Sequence, residues 1–226
     1  MRRRAVGALL RKEARLELRT PQVVPAMALF GVTTLVVFHF SLQRNTVEGD
    51  LAAGVLVVTL LFASMLGVNR LFVADHEDGG FDGFLLAPVD RTALLIAKAL
   101  ALGAFLVVVE IVLVPAFGLL LLGPGLTGEV VWKATVILLL ADAGVAVVGT
   151  LVAALAIQTR ARDLIVPLIA LPLLVPVVIG AAKALAPTFD AAGAGAIPGR
   201  WLLVLGLYDL VFGLLAYAVF DFLVEE

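Results

Sequence analysis

Three carboxylates stand where the chain is otherwise apolar: Glu110 within VVVEIVLVPAF, Asp142 within LLLADAGVA and Asp209 within GLYDLVF. Acids in such runs bind or pass protons, or hydrogen-bond between helices as neutral groups. A second group is concentrated in DHEDGGFDGFLLAPVDR, residues 75–91, which holds Asp75, Glu77, Asp78, Asp82 and Asp90 with no Lys or Arg before Arg91. There, acids alternate with apolar residues that could grip a partner. A third set is Glu13 and Glu17, two acids in a basic N-terminal segment.

Other chemistry has little to work with. None of the four lysines follows a glycine, so there is no G-x-x-x-x-G-K-[ST] phosphate loop. The absence of cysteine excludes disulfides, thiolate metal sites and iron–sulfur clusters. His39 and His76 fall near opposite ends of the membrane and cannot pair on one metal or haem within a chain. His39 reads as an interfacial polar residue. Ser64 lacks an evident base, which argues against an intramembrane serine protease. No catalytic residue, metal site or nucleic-acid surface is expected.

The elements that position these residues are membrane helices. The chain is 62% hydrophobic and 15% charged over 226 residues, against about 45–50% and 25% in soluble domains. The apolar residues form continuous blocks near the roughly 20 residues that cross a hydrocarbon core. A barrel would instead alternate in segments of about 10 residues. The expected fold is all-α, one transmembrane domain over residues 1–226. Spans are predicted at about 22–41, 51–74, 92–122, 131–157, 164–186 and 201–222.

Twelve of the sixteen basic residues then lie on the side of the N-terminus, Lys98 among them. Only Arg44, Lys133, Lys183 and Arg200 lie on the other side. Positive charge favours the cytoplasm, so both termini are expected inside, and residues 75–91 with them. The basic N-terminus, whose short apolar run turns charged again at Arg11, is expected to be retained rather than cleaved.

Residues 5–20 form an amphipathic helix by periodicity, with Arg11, Lys12, Arg15 and Arg19 on one arc and Val6, Leu9, Leu10 and Leu16 on the other. Glu13 and Glu17 fall inside the apolar arc. Either they pair with neighbouring bases, or this face meets protein. In residues 75–91, Asp78-Gly79-Gly80 supplies a turn; Phe81, Phe84 and Leu85 recur at helical spacing, Asp82 lies opposite, and Pro88 ends the run. This is a short cytoplasmic helix with a greasy face and an anionic rim. Carboxylates sit badly against an anionic leaflet, so a cytosolic protein partner suits it better than a lipid surface.

Within the spans, Glu110, Asp142 and Asp209 share a similar depth, where no Lys or Arg lies except Lys133 and Arg200 near the outer ends. They should face the bundle interior, and three such acids would not all stay ionised. They read either as a polar pathway or as structural hydrogen-bonding groups. Gly144, Gly149, Ala153 and Ala154 give the fourth span a small-residue surface for close packing. Pro115, Pro167, Pro172 and Pro176 predict bends; Pro115, Pro172 and Pro176 are candidate hinges. The outer loop LAPTFDAAGAGAIPGRW reads as an irregular turn.

The stretch FVADHEDGGFDGFLLAPVDRTALLIAKAL resembles the CcmB family, permease subunits of cytochrome c maturation, through Phe72, Asp75, Gly80, Phe81, Asp82, Leu85, Leu86, Pro88, Val89 and Lys98. Glu110 with Pro115, the proline-rich fifth span with Pro172, Pro176 and Gly180, and the N-terminal LLRKEARLELRTP extend the likeness over nearly the whole chain. Val73-Ala74, in place of charged residues, departs from the family pattern. The resemblance implies a type II ABC-transporter permease in the bacterial inner membrane. It implies six helices per chain, used as a dimer, with two cytosolic ATPase subunits and other cytochrome c maturation membrane subunits as partners. Residues Phe81–Leu86 would be the coupling helix. ATP and magnesium would bind the ATPase, and haem would be cargo of the complex. Two rivals stand beside this: a chain that moves a haem-handling neighbour without carrying haem, and a proton-driven secondary transporter using Glu110, Asp142 and Asp209.

Overall fold

A computed structural model describes residues 2–42, 44, 46–72, 91–156, 159 and 161–223. Among them are seven α-helices and no strand: α1 (Arg2–Arg19), α2 (Val23–Ser41), α3 (Gly49–Arg70), α4 (Arg91–Phe117), α5 (Gly128–Ala156), α6 (Arg162–Leu185) and α7 (Gly199–Leu223). Helices α2 to α7 carry segments long and apolar enough to cross a membrane, six in all, as the sequence predicts. Continuous aliphatic sequence makes helix the only economical state in lipid, because each backbone N–H then finds a carbonyl within its own segment.

The ends differ from expectation in instructive ways. The fifth span continues beyond residue 186 as a 3₁₀ turn, Ala186–Phe189, which buries Phe189 against Phe117 at 5.4 Å between ring centres. Past Pro115, α4 loosens into a π-helical turn, Gly118–Leu122. Proline lacks an N–H and disturbs the regular ladder nearby. The carbonyls of that turn serve other partners: His39 Nδ1 donates to Leu120 O across from α2, and Val47 N–H donates to Leu121 O at 2.8 Å. Pro167, Pro172 and Pro176 all sit inside α6.

Helix α5 is the hub. It packs on α4, α6 and α7, with 72% of its most apolar window buried against 11% for α7 and 17% for α2. Its small residues make that possible. A Cβ on Gly149 would fall 2.6 Å from Val68 of α3, and one on Gly144 would fall 2.7 Å from Asp209 Oδ1 of α7. Both are closer than real contacts allow, so glycine sets the spacing of the two neighbours. Leu203, Leu207, Leu210 and Leu214 of α7 remain exposed, as a lipid-facing helix requires.

Two lysines of the spans are buried. Lys98, counted above on the side of the N-terminus, lies inside α4 and is 2% exposed. Lys133, near the start of α5, is buried as well. Each is long enough to reach oxygen acceptors while its stem packs on apolar neighbours.

Candidate functional site

Glu110 of α4 and Asp142 of α5 are brought together. They line one pocket of about 30 Å³ with Ser64 of α3, and the rest of its wall is aliphatic, including Val57, Leu138, Val145 and Val177. Glu110 is 7% exposed, and its Oε1 has no hydrogen-bond partner; Asp142 Oδ2 is likewise buried without one. Ser64 Oγ donates to Leu61 O at 2.7 Å. Among the described residues the pocket wall carries no basic side chain.

Asp209 stands apart from this pair. It does not line the pocket; it presses Oδ1 toward Gly144, and neither of its carboxyl oxygens has a partner. Its neighbour Tyr208 donates to Leu173 O at 2.6 Å and stacks on Phe212. The three acids are therefore two sites, a pair and a single residue at the α5–α7 contact.

At the end of the bundle that carries α1, its acidic residues define a junction. Lys98 Nζ donates to Glu13 Oε1 at 2.9 Å and to Leu71 O at 2.7 Å, and lies 5.1 Å from the centre of the Phe72 ring. Glu17 accepts the backbone N–H groups of Gln22, Val23 and Val24, at 3.2, 3.3 and 2.8 Å. Those are donors at the start of α2 that no helical carbonyl can reach. The acidic face of α1 thus meets protein. Glu13 accepts from Lys98 of α4, which also holds the end of α3, and Glu17 caps α2. A cleft of about 650 Å³ opens beside this junction, lined by both acids, Asn69, Arg70, Phe105 and Arg162 among others.

Sequence reasoning missed Lys98 as Glu13's partner, although two signals were present. An acid in an apolar arc needs a partner, and a lysine seven positions into an apolar span needs one too. The expected coupling residues Asp75, Glu77, Asp78, Gly80, Phe81, Asp82, Phe84, Leu85 and Pro88 lie outside the described residues. Their attachment points are described: Leu71 and Phe72 on one side, both tied to Lys98, and α4 on the other.

Six apolar helices, an interfacial helix and buried carboxylates define an all-helical, multi-pass integral membrane protein. The family described as CcmB protein matches residues 4–222, and the chain belongs to that family. Similar proteins include "Heme exporter protein B" of Bradyrhizobium diazoefficiens, 33% identical over 217 residues, covering 95% of this chain and 96% of that one. Proteins of the same name from Rhodobacter capsulatus and Pseudomonas aeruginosa are 35% and 30% identical, the former covering 67% of this chain and 68% of its own, the latter 76% of each.

Proposed function

We propose that this chain is the membrane permease subunit of an ATP-binding-cassette complex that handles haem for c-type cytochrome biogenesis in the bacterial inner membrane. The observation that carries this reading is family membership across residues 4–222, with one relative called heme exporter protein B matched over 96% of its length. ATP hydrolysis belongs to a separate cytosolic subunit, which binds ATP and magnesium, because this sequence has no phosphate loop. Two copies of the chain, each with both termini in the cytoplasm, dock that ATPase through residues 75–91 and assemble with other cytochrome c maturation membrane subunits. Phe81 and Phe84 fill a groove, and Asp75, Glu77, Asp78 and Asp82 meet its polar rim. Closure of the ATPase pair displaces the docked segment, and its described ends pass the displacement to α3 and α4.

The pocket at Glu110 and Asp142 measures about 30 Å³, whereas ligand pockets run to roughly 300–1,000 Å³, so haem does not enter the chain at this pair of acids. Haem is cargo of the assembly.

Co-purification from a native host tests the reading. An ATP-binding-cassette subunit should come down with the tagged chain, and Phe84→Asp should release it. Recovery without any such ATPase, or retention of a coupled ATPase by Phe84→Asp, overturns the docking model.

A further inference from the structure

The pocket between α3, α4, α5 and α6 offers acceptors and no donor. Glu110 Oε1 and Asp142 Oδ2 have no partner, and the hydroxyl hydrogen of Ser64 is committed to Leu61 O. Val57, Leu60, Leu138, Val145, Val177 and Ala181 supply no counter-charge. On the helices packed against the pair, the nearest further groups do not supply one either. Asp209 of α7 is itself acidic and lies at Gly144, and Tyr208 is engaged with Leu173 O. Lys98 and Lys133 are bonded near the two ends of the bundle.

Two acids facing each other across an apolar pocket need a species that both donates and carries positive charge. A buried acceptor left unmet costs about 1–3 kcal/mol, more for a charged one. The pocket, at about 30 Å³, has room for about one or two waters. A divalent cation would take six or more oxygens, and only three side chains here present any.

We propose that Glu110 and Asp142 form a proton-binding site, holding one proton between them by way of a water in this pocket. One carboxyl donates to the water, the water donates to the other carboxylate, and the pair carries a single negative charge. Because the acids stand on different helices, the site links the spacing of α4 and α5 to protonation: drawing the helices apart breaks the bridge and changes the hold of both acids on protons. This site does not depend on what the complex transports.

Infrared difference spectroscopy of the purified chain in lipid nanodiscs tests it. An Asp209→Asn background removes the third membrane carboxyl from the spectrum. A protonated-carboxyl C=O band that shifts in heavy water is expected in that background. Either Glu110→Gln or Asp142→Asn should abolish it, because the amide supplies the donor and the remaining acid becomes the carboxylate. Two independently neutral acids would instead leave about half the band in each single variant, and that result overturns the proposal. So does a background spectrum without the band, or a band that disappears when sodium is added at constant pH, which would mark a metal cation site. Should a variant not yield monodisperse protein, heavy-carbon labelling of glutamate or aspartate carboxyls in the background protein decides. Summed over the two labels, the shifted intensity should equal that of one carboxyl; a sum of two marks two neutral acids and overturns the proposal.

Discussion

Lys98 and Glu13 are 85 residues apart in the chain and 2.9 Å apart in the fold, and Lys98 is 2% exposed. That ion pair joins the interfacial helix α1 to the first turns of α4, and the same ammonium holds Leu71 O at the end of α3. Glu13→Ala would take one carboxylate from a buried ammonium and should lower stability, by up to about 3–5 kcal/mol. The double variant Glu13→Leu with Lys98→Met should recover most of that loss, since it removes both charges. Unfolding midpoints in detergent measure both, and a double variant no more stable than the worse single would refute the pairing.

Gly144 and Asp209 form the second close relationship. Gly144→Ala should lower stability by about 1–3 kcal/mol through overpacking, because its Cβ would stand 2.7 Å from Asp209 Oδ1. Adding Asp209→Ala should return part of the loss. A non-additivity of about 0.5–3 kcal/mol is expected from the thermal unfolding cycle; strict additivity would mean that the two residues are not in contact.

Near the start of α5, Lys133 Nζ donates to Glu129 Oε1 at 2.7 Å and to the carbonyls of Ala194 and Gly195, each at 2.9 Å. Lys133→Met should free the 190–198 loop from α5. Hydrogen exchange at the Gly195 amide, bonded to Pro187 O at 2.8 Å, should quicken markedly while the exchange of α5 itself stays slow. Unchanged protection there would show that the loop does not need the lysine.

Topology offers a further check. Reporter fusions at residue 226 and within residues 75–91 should both register as cytoplasmic, and a fusion in the 190–198 loop should register on the far side. A periplasmic signal from either of the first two would invert the orientation on which ATPase docking depends.

The spans were legible because their signal is collective: some twenty aliphatic residues outweigh any one exception. Glu110, Asp142 and Asp209 were legible as interior groups for the same reason, since each is an expensive exception. Their division into a pair and a single was not. Residue count gives depth along a helix, whereas company depends on rotation and on how closely Gly144 lets α7 approach. Lys98 was counted on the side of the N-terminus within its span, but its partner was not legible, because Glu13 lies 85 residues away on another helix. The outer loop read as irregular from its Ala, Gly and Pro content, and no local pattern discloses that a lysine some sixty residues earlier would bind its carbonyls.

The Lys98–Glu13 bond also dictates an order of events during synthesis. Glu13 leaves the ribosome 85 residues ahead of its partner, roughly 4–17 s earlier at ~5–20 residues per second. In that interval α1 can use its basic arc on the headgroups and its Glu17 on the start of α2, but Glu13 must stay hydrated. The helix therefore waits at the membrane surface until α4 inserts, and only then closes onto the bundle. A nascent chain halted before residue 98 carries a first helix that has not yet been fastened.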